Sequence, residues 1–360
     1  MSTVPDPSSP AISRTCLYVA AGRALGAREP DPEARNPDYL AEKLLGDPET
    51  LDFENASVRA LSRPYDEVVN DLNVISNIRM MTIRTRFIDE ALARAIAAGA
   101  TQVAILGAGL DTHAYRCQDL LATANVFEVD RPATQAFKKQ RVQAVLGGPP
   151  ANLTYVATDF QHETLPEVLA RHGYDSGRQT FFILEGVTMY VPEAAARTTF
   201  QFVGAHPPGS AIVFDFVYRT LIDMVAGLDV ANLPEAARPY VQRFLDLIRD
   251  EPWVFGLPPG GEREFLTEFG LGLREAFTIG GEESVKRYLT RADGTHVGGE
   301  AIARAMARMA QRRQAEGQPT PTPQMPPEQM RQQQRLMAYQ MAEAVVATRP
   351  APFRHSGVSD

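Results

Sequence analysis

Two cysteines in 360 residues leave almost nothing for covalent or metal staples. Cys16 and Cys117 stand in no CxxC or other ligand-type spacing, which excludes a disulfide framework and a zinc module and fits a reducing compartment. The six histidines are scattered, none paired at ligand spacing, so no metal centre is expected. No apolar run approaches the ~18 residues of a membrane-crossing helix. The opening MSTVPDPSSPAISRT lacks a charged region followed by an apolar stretch, so no secretory signal is expected. Basic clusters are missing too. With Lys+Arg 36 against Asp+Glu 44 the formal net charge is −8, which argues against nucleic acid as the main partner. Neither a GxSxG elbow nor a Cys/His nucleophile motif occurs. These absences leave a cytoplasmic globular enzyme or binding protein with no membrane partner. A hydrophobic content of 44% is ample for a large core.

Residues 1–10 are rich in Pro and Ser and are expected to be mobile. The pattern over 11–27 is helical, with Ile12, Leu17, Val19 and Leu25 able to share a face. The irregular REPDPEARNPD leads into a short helix, YLAEKLL, and 66–98 read as one or two helices stopped at Gly99. Then the period changes. Short apolar, β-branched or aromatic runs lie at 102–106, 125–130, 153–157, 180–184 and 211–217, with helical segments at 132–146, 164–172 and 193–205. Strands that alternate with helices and read as near-continuous apolar runs predict a parallel sheet covered on both faces. The alternation lapses into helices up to about 250 and resumes as strands at 273–279 and 344–347, with a helix over 299–313 between them. Low-complexity 314–335, QAEGQPTPTPQMPPEQMRQQQR, is expected to be an exposed or disordered loop. The chain thus divides into a helical region (11–99), a sheet core (100–217), lid helices with a sixth strand (218–290), a helix with its Pro/Gln-rich insertion (291–335), and a final strand and tail (336–360).

In open parallel α/β sheets, ligands bind beyond the carboxyl ends of the strands. Four of those ends carry Gly107/Gly109, Asp130, Asp159 and Glu185. Each suits a part of S-adenosylmethionine (SAM). Gly107-Ala-Gly109 lets the backbone approach the amino-acid moiety. Asp130 offers two acceptor oxygens to the cis-diol of a ribose. Asp159 can accept from the adenine amino group while Phe160 stacks on the ring, and Glu185 can anchor the ammonium group or face the substrate. A helix N-cap is the competing reading for Asp130 and for Asp159. Position 112 is Thr where a dinucleotide fingerprint has its third glycine, which tells against an NAD-dependent oxidoreductase.

The stretches RTRFIDEAL (84–92), LGAGLDTHAYR (106–116), FEVDRP (127–132) and LEGVTMYVP (184–192), with SRTCLYVAAGRAL and AEKLLGDPE before them, resemble the leucine carboxyl methyltransferase family, in particular its bacterial branch of SAM-dependent methyltransferases. The resemblance implies an α/β fold: a Rossmann-like class I methyltransferase with a seven-stranded, mostly parallel sheet, added N-terminal helices and a helical lid after strand 5. It implies an arginine for the SAM carboxylate at Arg84 or Arg86, with Arg84 favoured by register. The ribose acid falls on Asp130, with Glu128 as the alternative, the adenine pair on Asp159-Phe160, and the fourth-strand acid on Glu185. Tyr190 lies in the same motif and reaches the cofactor or substrate, or packs in the core. One departure is visible: His113 replaces the first arginine of the usual GLDTRAYR.

The expected reaction is in-line methyl transfer to the carboxylate or hydroxyl oxygen of a small-molecule acceptor. A hydroxyl needs a base, for which His113, Tyr115 and Glu185 are candidates. A protein or peptide C-terminal carboxylate is the alternative acceptor, disfavoured by the acidic surface. A cofactor-binding scaffold without turnover is the reading outside enzymology. Neither the acceptor nor the oligomeric state follows from the sequence.

Overall fold

The computed structural model describes residues 13–51, 55–158, 163–233, 235, 238–248, 251–315 and 327–347. Seven strands form one sheet: β1 Gln102–Leu106, β2 Asn125–Asp130, β3 Leu153–Ala157, β4 Thr180–Leu184, β5 Ala211–Phe216, β6 Leu271–Thr278 and β7 Gln340–Val346. Their order across the sheet is β3-β2-β1-β4-β5-β7-β6. All pairings from β3 to β5 are parallel, and β7 inserts antiparallel between β5 and β6. This is the seven-stranded, mostly parallel Rossmann-like sheet that the resemblance implies.

Apolar runs take the centre because strands covered on both faces have no solvent side. Every residue of β1, β4 and β5 is buried, whereas edge strands β3 and β6 are partly exposed. Alternation divides the sheet's side chains between two cores. Val103, Ile105, Phe181, Ile183 and Val213 face the N-terminal helix Arg14–Gly26 and the long helix Leu72–Ala97. Ala104, Leu106, Phe182, Leu184, Ile212 and Phe214 face the other layer, which includes the helix Glu193–Gly204. A third cluster joins Met189, Val217, Leu221, Ile222, Ile248 and Trp253 beneath the helices Arg219–Ala226 and Arg238–Ile248.

The same parity explains where the buried acids point. Asp215 follows Val213 by two, and Glu343 follows Met341 by two, so both face the long helix. Glu343 is fully buried and receives Arg94 at 2.6 Å and Arg274 at 2.7 Å. Strand order reverses between β1 and β4, which opens the crevice at their carboxyl ends.

Two expectations are corrected. The final strand begins at Gln340, earlier than 344, because its outer residues pair with β6 across a bulge near Leu273 and Glu275. Part of the expected Pro/Gln-rich loop is a helix, Pro327–Leu336. Proline is tolerated in a first helical turn, and the Gln, Met and Arg residues after it are good helix formers. Arg335 then pairs with Glu262 and donates to the Tyr218 hydroxyl at 3.1 Å. Residues 1–10, 316–326 and 348–360 lie outside the described residues. Among the described residues no helix is long and apolar enough to cross a membrane.

Glu343→Ala is expected to lower unfolding free energy by roughly 1–3 kcal/mol, since two arginines lose a buried acceptor but can still reach water. Glu268→Ala, which breaks the exposed pair with Arg197, should cost no more than about 0.2–1 kcal/mol. Urea unfolding of both variants decides the point, and equal losses would show that the Glu343 network does not hold the antiparallel edge.

Candidate active site

β1 runs straight into Gly107-Ala-Gly109. Both glycines have positive φ, 71° and 44°, a region that side chains rarely adopt. The loop folds over the end of β2: Gly107 and Ala108 donate backbone N–H to the Val129 carbonyl at 2.9 and 3.0 Å, and Gly109 N–H to the Asp130 carboxylate. A Cβ at Gly107 would stand 2.5 Å from Val187 Cγ2, so the glycine is also sterically required. The helix that follows is a single turn, His113–Arg116, too short to present the N-terminus a pyrophosphate uses.

Asp130 is half-buried, and each carboxylate oxygen already accepts one backbone N–H, from Gly109 or Arg131. A carboxylate has about four acceptor sites, so two remain for vicinal hydroxyls. Glu128, two residues back, is spent elsewhere. It is buried with Lys138 at 2.8 Å and accepts from Tyr115 at 3.2 Å, which corrects the fallback reading of Glu128 as the ribose acid. Burial raises its pKa to about 7, against the lowering effect of Lys138.

The long helix brings Arg84 to the ends of β4 and β5. Arg84 Nη2 lies 2.9 Å from Glu185 and 3.3 Å from Asp215, all three nearly inaccessible. Arg86, about 200° round the same helix, instead donates to the carbonyls of Pro32 and Arg35 at 3.3 and 3.1 Å. Burial alone would lower the Arg84 pKa; Asp215 and Glu185 reverse that and hold the guanidinium charged. Asp215 is pushed up by burial and by Glu185, against Arg84. Arg84 Nη2, Glu185 Oε1 and Asp215 Oδ2 are ion-paired, yet neither they nor Arg84 Nε has a hydrogen bond of good geometry among the described residues. Such unspent donors and acceptors of both signs fit a zwitterionic amino-acid moiety.

Asp215 and Arg23 escaped the sequence reading. Asp215 stands at the fifth strand end, the one acid inside AIVFDFV, and its Oδ1 accepts the Gly186 N–H at 2.7 Å. A strand-end acid was the available signal. Arg23 sits in the buried helix stretch AAGRAL, where a lone arginine must find partners. It reaches Asp38 at 3.0 Å, the Leu110 carbonyl at 2.8 Å and Glu185 at 3.6 Å, and so ties the N-terminal helix to both the glycine loop and the fourth-strand acid. Glu251, in the segment after the lid helices, accepts from Ser13 and Thr15 and lies 3.8 Å from Arg131. The lid and the N-terminal helix therefore meet beside Asp130.

His113 and Tyr115 are corrected as candidate bases. The His113 ring lies between Asp111, 2.6 Å from Nδ1, and Asp89, 3.0 Å from Nε2, and is buried. Burial would lower its pKa, but Asp111 overrides this and raises it to about 9. An imidazolium has no lone pair for a substrate proton. Arg116 completes the cluster through its bidentate contact with Asp89. The Tyr115 hydroxyl pairs with Glu128 and with Tyr155 at 2.8 Å, and burial followed by the Glu128 charge keeps it protonated. Tyr190 is a different case. It lies between the strand-end cluster and the lid, packed with Trp253, with its pKa raised by burial. Asp159 and Phe160 lie outside the described residues.

A cavity of about 670 Å³ among Glu29, Asp31, Tyr65 and Arg291 is remote from the strand ends, and Arg291 already closes on Glu29 with two contacts of 2.9 Å. A cavity of about 340 Å³ lies under the lid, bordered by Trp253 and Tyr339. No group of His, Cys, Asp and Glu among the described residues could hold a metal ion.

A family model described as leucine carboxyl methyltransferase matches residues 16–204, more than half of the chain. A protein of Mycolicibacterium vanbaalenii provisionally named an S-adenosyl-L-methionine-dependent methyltransferase is 29% identical over 293 residues, covering 74% of this chain and 89% of that one. A Bacillus subtilis protein with the same provisional name is 32% identical over 221 residues, covering 58% and 72%. Among solved structures, a provisionally assigned methyltransferase from Thermobifida fusca is 15% identical with a TM-score of 0.48, covering 96% of this chain and all of that one.

The His113 cluster yields a pH prediction. A folded pKa raised from 6.5 to about 9 contributes stability that is full below pH 6.5 and lost as pH rises through 9. Wild-type unfolding free energy should therefore fall by on the order of 1–3 kcal/mol across that window. His113→Asn should be less stable at pH 6 and should flatten the slope; a slope unchanged in the variant would mean that His113 is neutral in the folded protein.

Proposed function

The chain belongs to the leucine carboxyl methyltransferase family, a SAM-dependent methyltransferase, and we propose on that premise that it methylates an oxygen, carboxylate or hydroxyl, of a small-molecule acceptor. The observation that carries the reading is the buried Arg84–Glu185–Asp215 cluster at the carboxyl ends of β4 and β5, with hydrogen-bonding capacity of both signs unspent.

In this reading each side chain has a distinct task. Arg84 binds the cofactor carboxylate and Glu185 its ammonium group, while Asp215 holds Arg84 charged and fixes the Gly186 backbone. Gly107 and Gly109 let main chain replace side chain at the amino-acid moiety. Asp130 takes the ribose hydroxyls, and Asp159 with Phe160 takes the adenine. The chemistry supplied by SAM is a methyl group already activated as a sulfonium. What remains for the protein is to align an acceptor oxygen behind that carbon, at about 3 Å, and to exclude water. Tyr190 and Trp253, packed beneath the lid helices, are placed to form the acceptor side of the site.

Calorimetric titration with S-adenosylhomocysteine (SAH) tests the proposal. Wild type should bind SAH, Asp130→Ala should weaken binding at least tenfold by removing a charged hydrogen-bond acceptor, and NAD should give no heat. A well-folded wild type that ignores SAH, or a response to NAD instead, would overturn the reading.

A further inference from the structure

The acceptor itself can be narrowed from charge and shape. The ~340 Å³ cavity under the lid is lined by Leu221, Met224, Leu228, Trp253, Met337 and Tyr339, together with two valines. None of its described lining residues is charged at neutral pH. Trp253 and Tyr339 meet edge to face, centroids 5.3 Å apart, and make an aromatic corner. Met189 and Tyr190, four and five residues after Glu185, pack in the same cluster as Trp253 and Tyr339, so this corner adjoins the strand-end site. Met224, 41% exposed, and Val254, 43% exposed, keep the entrance apolar.

The buried cluster supplies no spare cation. Two guanidiniums, Arg23 and Arg84, face three carboxylates, Asp38, Glu185 and Asp215. A cofactor with one net positive charge brings that balance to zero. Of the arginines on the neighbouring segments, Arg335 pairs with Glu262, while Arg219 and Arg238 donate to backbone carbonyls and do not line the cavity. An anionic acceptor in this space would stand among lining residues that carry no charge to pair with it.

We propose that the cavity beneath the lid takes an uncharged, apolar hydroxyl compound, and that a carboxylate is not the acceptor. The inference rests on the methyltransferase reading of the adjoining site. Methylating a hydroxyl forms an O–C bond, breaks the S–C bond with its electron pair left on sulfur, and releases the hydroxyl proton to solvent. The cavity volume suits one substituted ring, with its apolar face against Trp253 and Tyr339.

Trp253 is the single tryptophan of the chain, so its fluorescence reports on this cavity without any turnover. The full-length protein is titrated with 4-ethylphenol, neutral at pH 7, and with 4-ethylbenzoate, its anionic counterpart, each with and without saturating SAH. SAH binding is measured separately by calorimetry. The phenol should quench Trp253 and bind at least tenfold more tightly than the carboxylate. Met224→Glu, at an exposed position, should weaken the phenol about tenfold, and Met224→Arg should admit the carboxylate; neither should change SAH affinity. Equal or tighter binding of the carboxylate to wild type overturns the inference. So does a protein that binds SAH yet shows no phenol response. Loss of SAH binding in wild type overturns the methyltransferase reading instead, and with it the assignment of this cavity to an acceptor.

Discussion

One buried guanidinium organises the site. Arg84 crosses from the long helix to the ends of two strands, and its charge persists there because Glu185 and Asp215 meet it. Removing both acids would strand a cation in the interior, which is far costlier than losing a surface pair. The dependence runs outward from that point. Arg23 leans on Glu185 and reaches the Leu110 carbonyl, so the N-terminal helix is held against the glycine loop by the same carboxylate that Arg84 uses. Asp215 in turn fixes the Gly186 N–H. The cofactor cradle and the packing of the added helices are therefore one electrostatic unit.

That unit sits where the sheet offers space. The reversal between β1 and β4 leaves a crevice, and the glycine loop closes one side of it by turning back over β2. The GLDTHAYR segment, in contrast, looks away from the crevice. His113, Asp111, Asp89 and Arg116 satisfy one another in a buried cluster that braces the loop from behind. The charged His113 ring stands between two acids.

Much of the architecture was legible because it is periodic. Near-continuous apolar runs at 102–106, 180–184 and 211–216 could only be buried strands, and the glycines and acids at their ends marked the ligand side. Asp215 went unread although it obeys the same rule, because an acid inside AIVFDFV looks like an interruption until parity turns it toward the long helix. The stretch 327–336 was misjudged because composition reports complexity, while helix formation depends on a first-turn proline and on packing of Leu336 against a distant core.

By itself the sequence determined the strand ends, their order along the chain and the family, since these depend on local periodicity and on short motifs. Only the tertiary structure decided that Arg84 faces the strand ends while Arg86 turns to a loop. It likewise showed that Glu128 pairs with Lys138, that both His113 nitrogens stand against acids, and that the described lining of the space under the lid is uncharged. Each of these is a fact about which charge finds which partner across long stretches of chain, and no pattern of neighbours along the sequence encodes that pairing.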